Sequence, residues 1–433
     1  MKKLFSLLVL IFVMSANAQF KISGEIQNFN EKSLLVRINQ GPNNKIVNKI
    51  TTDKNGKFTV NIPEKYHGMI NLTDDSKQAI IDILTDNEEV AFEAEYINHD
   101  FQNINYTKGK TAIAFNEYQT FQTLQSLKTE IFPVLKSYYN SDEDFFKAII
   151  KEEQRIENLN PSNNLPLLDY YSSLIDLTNT NFDNDESAFE HKQKIMQRLV
   201  NDNDNLESSG LLSRLVLDYI RASIFGSKSQ AEIQNKVKVA IDQLIDQTII
   251  DTPRGQYVLS AVFEVLPENQ FGDLLASYYD MVNALTCELT DELKTNLYAH
   301  NMKNPGAEIP NIKFNKAVNG YESLFDIKAD KKIILFWASW CPACMSEMPY
   351  IEQYYENFKK EGGEIVAISL DYDLNEFENA TKDYPWINYT ELLRWDTQGV
   401  ESFGIQSTPT LFLVDKDNKL IKRANHISEL FED

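Results

Sequence analysis

Apolar and polar positions change rhythm twice along the chain. From Gln19 to about Tyr106 the rhythm is two. Phe20, Ile22 and Ile26 alternate with polar residues, Ser33-Leu34-Leu35-Val36-Arg37-Ile38 is a compact apolar run, and residues 80–84 and 90–96 continue the pattern. Such alternation predicts half-buried strands. Residues 46–52 and 57–62 flank Asp53-Lys54-Asn55-Gly56, where glycine can take a positive φ, so a hairpin is predicted there. A small antiparallel β-sandwich over 19–106 follows.

From 107 to 303 the period is helical. Leu211, Leu212, Leu215, Val216, Tyr219 and Ile220 fall on one face, as do Val237, Ile241, Leu244 and Ile245, with Tyr278-Tyr279 in a later helix. Asn140-Ser141-Asp142, Asn160-Pro161-Ser162-Asn163-Asn164 and Asn201-Asp202-Asn203-Asp204 punctuate the stretch as breaks between helices. Cys287 lies on a similar pattern and is expected to be a buried free thiol. No fixed-period repeat is found.

Asn304-Pro305-Gly306 marks a linker, and 304–433 reads as an α/β domain. The expected order is a leading strand at 309–314, a buried strand at 333–338, a helix at 345–358, a strand at 364–370 and a helix at 375–383. A hairpin follows from 409–414 to 419–422 through Asp415-Lys416-Asp417-Asn418, then a short last helix at 427–431.

The chemistry is concentrated in Trp340-Cys341-Pro342-Ala343-Cys344, at the predicted strand-to-helix junction. A helix N-terminus presents unpaired N–H groups and about half a positive charge, and both favour a thiolate. Cys341, at the tip, is expected to be exposed and to act as nucleophile. Cys344, one turn in, is expected to be shielded and to resolve the mixed disulfide. The same spacing is half of a zinc site, but no second ligand pair accompanies it: Cys287 is the only other cysteine, and His67, His99, His191, His300 and His426 are scattered. A redox pair is therefore the reading, with no metal and no cofactor.

A second motif, Ser407-Thr408-Pro409-Thr410, precedes an apolar strand. With it the last 125 or so residues resemble the thioredoxin-like fold, and within it the exported TlpA/ResA group of thiol–disulfide oxidoreductases. The match runs through Trp340 to Cys344, Glu347 three residues later, Pro349 inside the helix, where it is expected to kink it, and Thr408-Pro409. The resemblance implies a cis Pro409 facing the cysteines. It also implies a substrate edge formed by Trp340, Thr408 and Pro409, and a proton acceptor for Cys344 in Glu347. Thioredoxins themselves carry a buried acid six residues before the first cysteine; here that residue is Leu335. The implied substrates are protein disulfides, apocytochrome c among them, in cytochrome c biogenesis, and the implied reductant is a membrane thiol carrier of the DsbD type. Pro342-Ala343 adds no charge, which points to a reductant rather than an oxidant. Peroxiredoxins share the fold but require Pro-x-x-x-Thr-x-x-Cys, which this segment lacks, so a thiol peroxidase is the weaker alternative. A second alternative is a partner-binding envelope protein in which the redox pair is regulatory. The β region is similar to the domain of unknown function that precedes thioredoxin-like modules in exported Bacteroidetes proteins.

The N-terminus reads as a cleavable export signal. Lys2 and Lys3 precede an apolar stretch at 4–13, and Ala16-Asn17-Ala18 is a cleavage site. The periplasm or cell envelope is the expected location, without membrane insertion of the mature chain. The formal charge of −22 disfavours nucleic acid and anionic lipid as partners.

Overall fold

A computed structural model describes residues 20–75, 78–159 and 164–431. The export-signal residues, Lys2, Lys3, 4–13 and Ala16-Asn17-Ala18, lie outside the described residues, as does most of the break at 160–164. The chain divides into two compact units, one built from described residues 20–40, 44–176 and 207–210, the other from the remainder.

The first unit is built on eight strands: β1 (Phe20–Gln27), β2 (Ser33–Gln40), β3 (Asn43–Thr51), β4 (Lys57–Ile62), β5 (His67–Asp74), β6 (Ile80–Asp86), β7 (Val90–Ile97) and β8 (Asp100–Lys108). They form two four-stranded sheets, β4-β1-β7-β8 and β3-β2-β5-β6. Phe20, Ile22 and Ile26 of one sheet share a core with Leu34, Val36, Ile70, Leu72, Ile81 and Ile83 of the other, so the sandwich is present. One pairing inside it is parallel, β1 with β7, with Ile22 opposite Val90.

The Asp53–Gly56 turn forms, but it does not join paired strands. Gly56 takes φ +76°, its N–H donates to Asp53 O at 2.9 Å, and a Cβ there would meet Ile26 O at 2.1 Å. Yet β4 pairs with β1, Phe20 opposite Ile62, while β3 stays beside β2 in the other sheet. The reason is burial. Both strands lie at the edge of a sheet, but β4 turns Phe58, Val60 and Ile62 into the shared core from one face, whereas β3 buries no residue fully. β5 and β8 were not expected, because neither sequence alternates cleanly. Helix α1 (Lys110–Ser126) lies outside the sandwich, where Ala114, Phe115 and Tyr118 pack with Met69 and Leu84. Two further helices, α2 (Phe132–Lys136) and α3 (Asp144–Glu157), and the start of α4 (Pro166–Thr178) complete this unit.

The second unit contains α5 (Asp185–Asn201), α6 (Leu212–Ile224), α7 (Gln230–Thr248), α8 (Pro253–Val265), α9 (Glu268–Asn283) and α10 (Asp291–Asn301). Four of the six starts are written locally. Asn184, Ser229, Thr252 and Thr290 each cap a helix by accepting an N–H from three residues on. The helical faces read from sequence are largely buried: Leu212, Leu215, Val216, Val237, Ile241 and Leu244 are sealed from solvent, while Ile245 is only half-buried. Cys287 departs from expectation. It sits between α9 and α10 rather than in a helix, and is only partly buried, with Gln256 Nε2 at 3.6 Å from its sulfur.

The same unit carries a five-stranded sheet in the order β13-β12-β11-β14-β15, with β11 (Lys331–Trp337), β12 (Gly363–Ser369), β13 (Ile387–Thr390), β14 (Thr410–Asp415) and β15 (Leu420–Ala424). The central β11 is parallel to β12, Ile333 opposite Ile365, and antiparallel to β14, Ile333 opposite Leu413. Helices α11 (Pro342–Lys360) and α12 (Leu374–Thr381) accompany it. The leading strand expected at 309–314 is displaced. Ile309 and Ile312 are fully buried as irregular chain, and a separate hairpin forms from β9 (Lys313–Val318) and β10 (Tyr321–Ser323). Both isoleucines serve the core without joining the ladder. The last segment, Ile427–Phe431, is a 3-10 turn.

Candidate active site

β11 is buried along nearly its whole length and delivers the chain to Trp337 at its C-terminal end. Three residues separate Trp337 from Cys341, which is the N-cap of α11. The Cys344 amide donates to Cys341 Sγ at 3.1 Å, so a sulfur takes the place that a serine or aspartate oxygen usually fills. Pro342 occupies the first helical turn, where no N–H is needed. A negative sulfur at Cys341 is thus met by an amide donor and by the positive end of the helix. The two cysteines are joined as a disulfide, with Cα atoms 5.3 Å apart.

The predicted difference in exposure is small in this oxidised state. Cys341 is 5% exposed and Cys344 1%, so Cys341 is not the open thiol that its place at the tip suggested. The sulfur of Cys341 lies against the chain before β14, 3.5 Å from Thr408 O. The Thr408–Pro409 peptide is cis. Trp340 is 41% exposed, and its indole N–H donates to Leu370 O at 3.3 Å. Pro409, Thr408 and Trp340 therefore stand close to the cysteines in three dimensions, although Thr408 is 67 residues from Cys341.

Glu347 is 8% exposed on α11. Its carboxylate is engaged by the chain leading into the last turn: Oε1 accepts the Ile427 N–H at 2.7 Å, and Oε2 lies 3.2 Å from His426 Nδ1. The carboxylate raises the His426 pKa above its ordinary value, through the hydrogen bond first and its charge second. Pro349 lies inside α11.

Two residues at the site were not singled out from sequence. Asp371 is fully buried just beyond β12. Its carboxylate accepts the Ser339 N–H at 3.1 and 3.2 Å, the Ser339 hydroxyl at 2.6 Å and the Ser369 hydroxyl at 2.5 Å. It thereby fixes the segment that leads into Cys341. A lone acid closing an apolar strand, Ile365 to Leu370, was the available signal. His426 offered none, because only folding brings it to Glu347. Among the described residues, no group of three or more His, Cys, Asp or Glu side chains could hold a metal ion.

The thioredoxin-like family model matches residues 330–420, which includes both cysteines and Pro409. Thiol-disulfide oxidoreductase ResA of Bacillus subtilis (strain 168) is 30% identical over 117 residues, covering 27% of this chain and 65% of that protein. ResA of Bacillus thuringiensis subsp. konkukian (strain 97-27) is 31% identical over 117 residues, covering 27% of this chain and 67% of that protein. The chain thus spans about two thirds of the length of these relatives. Among solved structures, the thioredoxin domain of a thiol-disulfide oxidoreductase from Bacteroides vulgatus is 25% identical, covers 29% of this chain and 92% of that one, and superposes with a TM-score of 0.27. Through this C-terminal domain, the chain belongs to the thioredoxin-like family of thiol–disulfide oxidoreductases that includes ResA.

Proposed function

We propose that the protein is an exported reductase of protein disulfides that works through Cys341 and Cys344. The observation that carries this reading is the Cys344 amide placed on the Cys341 sulfur at the head of α11. The Cys341 thiolate attacks one sulfur of a substrate disulfide, forming a mixed disulfide and expelling the other sulfur as a thiolate. The Cys344 thiol then loses its proton and attacks Cys341. The second substrate sulfur leaves with the electron pair, and the enzyme ends as the disulfide. Glu347 accepts the Cys344 proton. The Thr408 carbonyl and Trp340 border Cys341, and an extended substrate segment can pair along that edge.

The cycle needs an external dithiol, and a membrane carrier of the DsbD type fits a chain whose first residues read as an export signal. Apocytochrome c is a candidate substrate, and the envelope is the proposed location. No described helix is long and apolar enough to cross a membrane. The divisions 19–106, 107–303 and 304–433 are proposed as its domains, to be checked by limited proteolysis.

A second reading, a partner-binding protein with a regulatory redox pair, draws on one feature. The first unit holds a cavity of about 360 Å³, bordered by the polar residues Arg37, Asn39, Asn71, Thr73 and Asp82. Equilibration with glutathione separates direction of flow. A reductase should settle nearer to about −270 mV, as thioredoxin does, and a value near about −120 mV would reverse the assigned direction. Turnover of a protein disulfide with an external dithiol separates enzyme from regulated binder, and absence of turnover would favour the second reading.

A further inference from the structure

Glu347, on the cysteine helix itself, does not stand free. Both carboxylate oxygens are engaged by one short piece of chain, Oε1 by the Ile427 amide and Oε2 by the His426 ring. The two partners differ in kind. The amide cannot titrate, whereas the imidazole can. Glu347 and His426 differ in access to water: the Glu347 side chain is 10% exposed and that of His426 62%. The pair therefore bridges the buried side of α11 and the solvent.

We propose that His426 is a positioning residue for the redox reaction, whose protonation state governs how readily Glu347 accepts the proton released by Cys344. This rests on the assignment of Glu347 as that acceptor. When His426 is charged, it donates to Oε2 and keeps the carboxylate committed to an ion pair. When it is neutral, Oε2 is released to take the thiol proton, which can then pass to the imidazole and on to water. No oxidant or reductant is consumed in this step; only a proton moves, from Cys344 Sγ to Glu347 to His426 to solvent.

The other groups around the ring are few. Glu429 of the same turn accepts the backbone N–H groups of Asn425 and His426, and its charge also favours the protonated ring. Lys422 of β15 acts on Glu429. Arg423, also on β15, is directed elsewhere, donating to Gly404 O and lying over the Phe412 ring. Tyr354 of α11 stacks on Phe431, and burial pushes its pKa up to about 12, so it stays neutral across the range in question.

The test uses the full-length reduced protein and an aromatic disulfide that releases one coloured thiolate at each step. The first release reports attack by Cys341 and the second reports resolution by Cys344. The second rate, read relative to the first, is compared in the native protein, His426→Gln, Glu347→Gln and the double variant across about pH 5.5 to 8.5, the window around an ordinary histidine pKa. Glutamine keeps a hydrogen-bond donor but cannot titrate. The ratio of native to His426→Gln resolution rates should change at least about threefold across the window, the equivalent of half a pKa unit. Glu347→Gln should slow resolution and abolish that pH-dependent difference in the double variant. If His426→Gln only scales the rate by a constant factor at every pH, His426 is structural and the inference is overturned. If Glu347→Gln leaves resolution unchanged, the acceptor assignment itself fails, and this inference fails with it.

Discussion

The amide nitrogen of Cys344 lies 3.1 Å from the sulfur of Cys341, and this contact makes the two cysteines unequal. One sulfur receives a backbone donor at the positive end of a helix. The other sits one turn inside; exposure does not separate the two, at 5% for Cys341 and 1% for Cys344. Anion stabilisation is thus built for Cys341 by the geometry of the N-cap alone.

The reduced protein should therefore alkylate first at Cys341. Near neutral pH, mass-spectrometric mapping should show labelling there faster by about tenfold, the effect of one unit of thiol pKa. Equal labelling of the two cysteines would remove the asymmetry.

Asp371 supports the segment before the motif through the Ser339 amide and the hydroxyls of Ser339 and Ser369. Asp371→Ala leaves buried donors without an acceptor, at about 1–3 kcal/mol for each group that stays unsatisfied. The denaturation midpoint and disulfide turnover should fall together, and Asp371→Asn, which keeps one carbonyl oxygen, should lie between. An alanine variant with native midpoint and turnover would show that Ser339 is held by other means.

The sequence carried the redox centre because its logic is local. A buried strand, two cysteines a turn apart and a helix start occupy one short segment, Ile333 to Phe358, and each rule there points the same way. The Asp53–Gly56 turn was equally local and formed where expected. Its pairing was not legible, because β4 pairs with β1, about thirty residues earlier, and buries Phe58, Val60 and Ile62 in a core shared with the other sheet, both of which are long-range choices. β13 was missed for a related reason: Ile387–Thr390 is four residues long, too short to display a period. His426 was hidden by distance along the chain, since its partner Glu347 is 79 residues away.

Lys332 makes a pH prediction of definite sign. It is 2% exposed in β11, its ammonium donating to Ile327 O at 3.3 Å and to Asn418 Oδ1, and burial pushes its pKa from 10.5 down to about 8. The folded value lies below the unfolded one, so between about 8 and 10.5 the unfolded chain binds more protons. This residue then makes the fold relatively more stable as pH rises through that window. Urea midpoints of the native protein and Lys332→Met, compared at several pH values there, should converge on different slopes, with the native slope more positive. Parallel slopes would mean that Lys332 is as well solvated as an unfolded lysine.

His426 acts in the opposite sense. Its folded pKa is raised above 6.5 by Glu347, so its stabilising contribution is complete below about pH 6.5 and is lost as pH rises through the folded value. The midpoint difference between the native protein and His426→Gln should be largest in mild acid and should shrink above neutrality. A difference that is flat with pH would show that the pair carries no charge-dependent stability.

The central claim is the division of labour between the two cysteines, and trapping measures it directly. The reduced single variants Cys344→Ala and Cys341→Ala are each mixed with a protein disulfide, quenched with acid and weighed intact. Cys344→Ala should accumulate a mixed disulfide on Cys341 that persists, because the resolving thiol is gone, while Cys341→Ala should form little adduct and turn over no substrate. An adduct forming on Cys344 in Cys341→Ala as fast as on Cys341 in Cys344→Ala, or full turnover by either variant, would contradict the account.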